Sequence, residues 1–270
     1  VKAQREGAWV TIQTCTNSFQ ILSASSDFFK VHEPHCNVVS IVSPTYNEEE
    51  NIELLIERVS EAMHGRDYEI IVVDDNSQDG TIEIAKDLSE KYPLTIVVRE
   101  KKLGLASAIL TGFEHAQGDI LGVIDADLQH PPEYILEFVH AIEHDRCDIA
   151  IGSRYVTGGI IEGWSKKRLL ASKLAILLAK PLVSKVKDPM SGFFFLKRSV
   201  IDGTEFNPTG YKLGLEILLK GHYHEVEEIP YTFRKRTNGS SKLNNREILL
   251  YLRLLRDLYA YKFSSWLFHG

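Results

Sequence analysis

The sequence predicts an α/β fold in which a mostly parallel central sheet carries helices on both faces. Three observations support this. Short apolar runs alternate four times with segments whose apolar residues recur at helical spacing. Turn-rich loops follow the apolar runs, and two of these loops are acidic. The 270 residues are 44% hydrophobic and 25% charged, an ordinary globular composition with enough apolar material for a sizeable core.

Residues 1–36 show no clear period and read as an N-terminal extension of unknown role. Organisation begins at "NVVSIVSPTYNEEENIELLIERVSEAM". Its β-branched run 38–42 reads as a buried strand, a Pro-bearing turn follows, and Ile52, Leu55, Ile56 and Val59 then recur at helical spacing. "YEIIVVDDNSQDGTIEIAKDLSEKY" repeats the order as strand, acidic loop and helix. "LTIVVREKKLGLASAILTGFEHAQGD" does so with a basic loop. "ILGVIDADLQHPPEYILEFVHAIEH" ends in a helix opened by two prolines, which suit a first turn, and "CDIAIGSRY" is a further strand. Ligands of such sheets lie beyond the carboxyl ends of the strands, where the acidic loops at Asp74 and Asp125 fall.

Several classes are set aside. Cys15, Cys36 and Cys147 are odd in number and far apart, so neither a disulfide framework nor a cysteine metal site is expected, and a reducing compartment is. No run approaches the roughly eighteen apolar residues of a membrane span. The start, "VKAQREGAWV", lacks the order of a secretory signal. No strand leads into G-x-G-x-x-G, and no G-x-x-x-x-G-K-[ST] occurs, which argues against dinucleotide oxidoreductases and P-loop enzymes. No nucleic-acid partner is expected.

Charge is uneven. Net charge is −6, yet residues 231–270 carry eight Lys or Arg against two acids, which suggests an anionic partner at that end. "GWSKKRLLASKLAILLAKPLVSKVK" has seven basic residues, no acid and a broad face of Leu169, Leu170, Leu174, Ile176, Leu177 and Leu178. It reads either as a core helix with lysines reaching solvent or as a helix lying on a membrane surface. Residues 247–270, with Arg253, Arg256 and Lys262 among Leu, Tyr and Trp, read as a basic amphipathic C-terminal helix suited to an interface.

The acidic loops carry the chemistry. Asp125 and Asp127 stand one residue apart, with Gln129 close behind. If the chain stays extended there, 125, 127 and 129 share one side. Carboxylates held that close need a cation between them or must take up a proton. An oxygen-only set suits Mg²⁺ or Mn²⁺, and Mg²⁺ commonly completes its octahedron with water and substrate phosphates. The alternative is a pair of loop acids capping the next helix. Asp74 and Asp75 offer carboxylates for a nucleobase or ribose, with Ser77 or Asp79 available to cap the following helix. Tyr46 adds a stacking ring and Glu48 an acceptor, while His130 reads as structural rather than as a ligand.

Seven blocks in order, "VVSPTYNEEENI", "IIVVDDNSQDGT", "KKLGLASAILTGFEHAQGD", "VIDADLQHPP", "IGSRYVTGG", "KDPMSGFFFLKRSV" and "YTFRKRTNGSSKL", resemble the dolichyl-phosphate mannosyltransferases of glycosyltransferase family two. The resemblance spans about residues 37–246. It implies a Rossmann-like nucleotide-diphospho-sugar transferase fold of the GT-A type over 37–246, a GDP-mannose donor, a dolichyl or polyprenyl phosphate acceptor and inversion at the anomeric carbon. It implies that Pro44, Tyr46, Glu48, Val72 and Asp74 hold the nucleoside, and that Asp125, Ala126 and Asp127 meet ribose, diphosphate and metal. Asp125, Asp127 and Gln129 would ligate Mg²⁺ or Mn²⁺. Arg154, Arg236 and Lys242 would neutralise the donor diphosphate and the acceptor phosphate. Many members continue into membrane helices after a segment like "YKFSSWLF". The expectation is therefore action at the cytoplasmic face of a membrane, through missing helices, peripheral association or a separate membrane subunit. Two other readings stand beside this one: hexose transfer from a UDP-sugar, and a non-catalytic nucleotide-sugar scaffold. An aspartyl-phosphate hydrolase fits poorly, because its acidic motif belongs to a first strand.

Overall fold

A computed structural model describes residues 2–5, 8–11, 38–207, 210–235 and 245–269. Residues 1–36 and 37–270 form separate compact units. In the first, β1 (Lys2–Arg5) and β2 (Ala8–Thr11) pair antiparallel, with Lys2 opposite Thr11. Sequence periodicity gave no hint of this ladder.

In the second unit all four strand–helix repeats form. They are β3 (Val39–Thr45) with α1 (Ile52–Ala62), β4 (Tyr68–Asp74) with α2 (Thr81–Ser89), β5 (Leu94–Val98) with α3 (Leu105–His115), and β6 (Ile120–Val123) with α4 (Ile135–Glu143). A 3₁₀ turn over Pro132–Tyr134 leads into α4, so the prolines open the helical segment as expected. Next come β7 (Ile149–Ser153), β8 (Ile160–Ile161), α5 (Lys166–Ala179), β9 (Phe194–Lys197), α6 (Leu213–Lys220), β10 (Val226–Pro230), β11 (Thr232–Phe233) and α7 (Asn245–His269).

The main sheet has the order β10-β7-β9-β6-β3-β4-β5. Its pairs are parallel except those of β9, which runs antiparallel between β6 and β7. The chain steps outward from β3 to β5 and then returns to the other side of β3 at β6. That reversal opens a crevice at the carboxyl ends of β3 and β6, where Thr45 and Ile124 lead into the loops.

Strand alternation sorts the core into two layers. Val39 and Ile41 pack with Ile52 and Ile56 of α1 and Phe138 of α4. Val42 packs on the other face with Ile109 and Phe113 of α3 and Leu258 of α7. Each fully buried side chain of this size contributes about 1.5–3 kcal/mol before entropy is counted. Helix α3 lies so close to β3 that a Cβ at Gly112 would stand 2.3 Å from Val42 Cγ1, so only glycine fits there.

The two basic helices differ from this pattern. In α5 only Ala179 is buried, while Leu170, Leu174 and Leu177 are exposed, so the core-helix reading of this segment does not hold. Helix α7 buries Tyr251, Leu254, Leu255 and Leu258 and exposes Leu249, Leu252 and Phe263. Tyr251 Oη donates to the Ala175 carbonyl (2.6 Å), Tyr259 Oη to that of Leu178 (2.8 Å), and Lys262 Nζ to that of Pro181 (2.6 Å). These bonds tether α7 along the end of α5 and satisfy a carbonyl of its last turn. No described helix is long and apolar enough to cross a membrane.

Candidate active site

A cleft of about 1250 Å³ runs from the loops after β3 and β6 to α5 and α7. The loops after β3, β4 and β6 each hold a non-glycine residue in the left-handed region: Asn47 (φ 53°), Asn76 (φ 61°) and Leu128 (φ 58°). Asparagine tolerates this conformation, but leucine adopts it at a cost that surrounding packing must offset. Leu128 is held by burial of its side chain in the core.

That residue corrects one expectation. The stretch 125–129 is not extended. It is a turn in which Asp127 Oδ1 accepts the Gln129 N–H at 3.1 Å. The turn, rather than strand alternation, brings Asp125, Asp127 and Gln129 to one cleft wall together with Ala126. Asp127 and Gln129 are buried, whereas the Asp125 side chain is a third exposed. Gln129 Nε2 donates to the Arg234 carbonyl at 3.0 Å, and the Arg234 N–H donates back to the Gln129 carbonyl at 3.1 Å. With its amino end so engaged, the amide keeps its side-chain oxygen as an acceptor. Two carboxylates and an amide oxygen form a hard donor set suited to Mg²⁺ or Mn²⁺. No three His, Cys, Asp or Glu side chains among the described residues cluster as metal ligands. An ion at this turn would thus draw its third protein ligand from Gln129.

His130 lies beneath the turn. Its ring stacks on Phe193 with centroids 5.1 Å apart and meets Tyr231 and Phe233 edge-on. Burial pushes its pKa down to about 4, so the imidazole is neutral near pH 7. This agrees with a structural role.

Pro44 of β3 and Tyr46 and Glu48 of the loop after it line the cleft, and Lys102 Nζ sits 3.5 Å above the Tyr46 ring centre. Val72 and Asp74 lie elsewhere. Val72 is in the core. Asp74 is fully buried and accepts from Thr45 Oγ1 (2.8 Å), Ser77 N–H (2.7 Å) and Ser77 Oγ (2.6 Å), tying the ends of β3 and β4 together. It is Asp75 that lines the cleft, where its carboxylate grips Arg99 and accepts the Gly104 N–H at 3.1 Å. Adjacent residues at a strand end point opposite ways, and only register decides which one faces the cleft. Gly80 occupies the cap position of α2, and Asp79 just before it accepts the Thr81 N–H at 3.1 Å and so satisfies a first-turn donor.

Arg154 follows β7 and lines the middle of the cleft. Its Nε and Nη2 donate to the two oxygens of the fully buried Asp188, at 2.7 and 2.8 Å, and its own N–H donates to Asp188 Oδ2 at 3.0 Å. Burial works against the Arg154 charge, but the bonds and charge of Asp188 outweigh it and raise the pKa above the ordinary range. Glu228 of β10 accepts the backbone N–H groups of Lys187 and Asp188 (2.8 and 2.9 Å) and so fixes this turn.

Across the cleft, Arg168 of α5 lies 4.2 Å from the Trp164 ring centre, and Tyr155 Oη donates to Ser172 Oγ at 2.9 Å. Arg168, Ala171, Ser172 and Ala175 line the cleft at helical spacing. Sequence reasoning followed the leucines of this helix, of which Leu174 and Leu178 also line the cleft, and passed over the small and polar residues between them, which were the available signal. It also passed over Asp188 and Lys212. Arg236 and Lys242 lie outside the described residues.

A crevice at the switch point of an open α/β sheet, with an acidic turn at its base, is where such folds bind their ligands. The family model "Glycosyl transferase family 2" matches residues 40–204, from β3 past β9, and the chain belongs to that family. Within it, the chain falls among the dolichol-phosphate mannosyltransferases. It is 49% identical over 231 residues to the dolichol-phosphate mannosyltransferase of Pyrococcus furiosus, a match covering 84% of this chain but 64% of that relative. To the Saccharomyces cerevisiae protein of the same name it is 38% identical over 239 residues, covering 84% and 88%. The fold is similar to glucosyl-3-phosphoglycerate synthase from Mycobacterium tuberculosis, solved with Mn²⁺, UDP and glucosyl-3-phosphoglycerate. That match has a TM-score of 0.61 and 22% identity over 83% of this chain and 78% of the other. The fold is accordingly GT-A.

Proposed function

We propose that this chain transfers mannose from GDP-mannose to dolichyl or another polyprenyl phosphate, with inversion, at the cytoplasmic face of a membrane. One observation carries the reading. A single cleft runs from the nucleoside end, past the acidic turn, to the walls formed by α5 and α7, whose other sides expose leucines. A soluble nucleotide sugar and a lipid phosphate could meet there from opposite ends.

In this reading Pro44, Tyr46, Glu48 and Ala126 hold nucleoside and ribose, while Val72 and Asp74 shape that end from beneath. Asp125, Asp127 and Gln129 would hold Mg²⁺ or Mn²⁺, which when bound stabilises charge on the departing diphosphate. Arg154, oriented by Asp188, offers its remaining N–H donors to phosphate oxygens. Arg236 and Lys242 are assigned to the diphosphate and the acceptor phosphate by family resemblance. An acceptor phosphate oxygen attacks the anomeric carbon, the bond from that carbon to the diphosphate oxygen breaks, and GDP leaves with the electron pair. The attacking oxygen is already anionic, so no strong general base is needed.

Leu170 and Leu177 of α5 stand exposed beside Lys166, Lys167 and Lys173. That arrangement supports the reading, since leucines suit an acyl boundary and ammonium groups suit lipid phosphates. We assign 247–270 the same interfacial role. A separate membrane subunit could supply further anchoring.

The test is a radiolabel transfer assay with polyprenyl phosphate, with and without Mn²⁺, using GDP-mannose and UDP-glucose in parallel. Metal-dependent turnover of GDP-mannose is expected. Turnover of UDP-glucose alone would replace the donor assignment, and nucleotide-sugar binding without transfer would favour the scaffold reading.

A further inference from the structure

The main sheet ends differently at its two edges. At one edge β10 carries Glu227, Glu228 and Pro230, the kind of charges and proline that keep an edge strand from pairing with another chain. At the other edge β5 reads LTIVV, with no charge, no proline and no glycine. Thr95 and Val98 are exposed, Val98 by 48%. Among the described residues no strand pairs with the outer side of β5. An uncharged, β-branched edge of this kind is a template for a further strand.

Register decides which backbone groups this edge offers. The Pro93 carbonyl accepts the Ile70 N–H of β4 at 2.8 Å, and the Arg99 N–H donates to the Asp74 carbonyl at 2.9 Å. In a parallel ladder alternate residues of a strand bond the same neighbour. Odd-numbered residues of β5 therefore bond β4, and Leu94, Ile96 and Val98 turn their N–H and C=O groups outward. The Leu94 N–H already donates to the Tyr92 carbonyl at 2.7 Å. Among the described residues this leaves the outward N–H groups of Ile96 and Val98, and the carbonyls of Leu94, Ile96 and Val98.

We propose that this edge pairs antiparallel with the same edge of a second copy of this chain, about a two-fold axis through Ile96 and perpendicular to the sheet. The outward groups are self-complementary under that axis. The two Ile96 residues exchange N–H···O bonds in both directions, and each Val98 N–H meets the other copy's Leu94 carbonyl. Every outward donor then has an acceptor, and the two sheets become continuous. The axis also keeps each face of the sheet on the same side in both copies. Ala179 of α5 and Tyr251, Leu254 and Leu258 of α7 belong to the core layer that holds Ile109 and Phe113 of α3. Both copies thus present α5 and α7 on one side, and two clefts can work at a single membrane. The inference goes beyond the proposed mannosyl transfer and holds whichever sugar is transferred.

The experiment is sedimentation equilibrium of the full chain, with a mild detergent masking the α5 and α7 leucines. Wild type should show a monomer–dimer equilibrium. Val98→Lys puts a charge into the edge, and Val98→Pro removes an outward donor without touching the ladder to β4. Each should weaken the dimer at least about tenfold. Changing Leu170 and Leu177 to Glu should leave the dimer intact. Amide hydrogen exchange reads the contact without any substitution, because Ile96 and Val98 should gain protection as protein concentration rises. A wild type that stays monomeric up to its solubility limit overturns the proposal, as does a dimer that both Val98 variants leave unchanged. Protection at 94–98 that is independent of concentration also overturns it, since the chain would then cover its own edge.

Discussion

The strand-edge half of the cleft and its helical half are stabilised in opposite ways. At the strand edge three carboxylates are buried and have fixed protein partners. Asp74 accepts three hydrogen bonds, Asp75 grips Arg99, and Asp188 takes three bonds from Arg154. Such a network has little freedom to relax, which suits a site that must meet a transition state without reorganising. The helical half reverses this. Helix α5 buries one residue, exposes its leucines and is tethered by carbonyl contacts from α7. Its apolar surface has no counterpart in the described fold and suits contact with a lipid phase. In the proposed reading, polar over-determination accompanies the chemistry, and apolar exposure accompanies access.

The sharpest way to break this contrast is Asp127→Asn. The asparagine retains an oxygen to accept the Gln129 N–H, so the turn should survive while one carboxylate charge is lost. Metal-dependent transfer should fall by about 10³. Sedimentation with anionic vesicles should not change. A variant that transferred normally would end the division of labour.

A smaller effect comes from the strand-edge core. Burial holds His130 neutral, with a pKa near 4 against an ordinary 6.5. A depressed histidine pKa means that the unfolded chain takes up a proton first as the pH falls. Its contribution is intact above pH 6.5 and declines between 6.5 and 4, by roughly 3 kcal/mol in all. Urea titrations of metal-free protein at pH 7 and 4.5, compared with His130→Phe, should show the wild type losing about 2–3 kcal/mol more than the variant. Equal losses would mean that the imidazole is not enclosed as described.

The smallest effect should come from the helical half. Leu170 and Leu177 are exposed and do not line the cleft. Changing both to Glu should leave urea stability within about 0.5 kcal/mol. It should lower vesicle binding and long-chain acceptor turnover roughly tenfold, because buried leucines and nearby lysines both contribute at an interface. Unchanged vesicle binding at low salt would remove α5 from the membrane contact.

Much of the fold was legible because it is written in local periods. The 38–42 run, the Ile52, Leu55, Ile56 and Val59 spacing and the acidic loops at strand ends need only neighbours in sequence, and these strand–helix units formed. The Asp125, Asp127 and Gln129 grouping was legible for the same reason, although the assumed extended backbone was replaced by a turn at Leu128. Other features were decided far away along the chain. "FFFL" carries no mark that it will enter the sheet antiparallel between β6 and β7. Nothing near Arg154 in sequence announces Asp188, 34 residues on.

By itself, then, the sequence determined the alternating elements, the sheet edge that carries the acids and the family resemblance, since short-range patterning and motif spacing are properties of neighbouring residues. Only the tertiary structure decided that Asp75 rather than Asp74 faces the cleft, that Leu170 and Leu177 of α5 face away from it and that Arg154 pairs with Asp188. The physical reason is that register, strand insertion and the pairing of buried charges are settled by packing between distant segments, where one residue's displacement exchanges a core position for a cleft position.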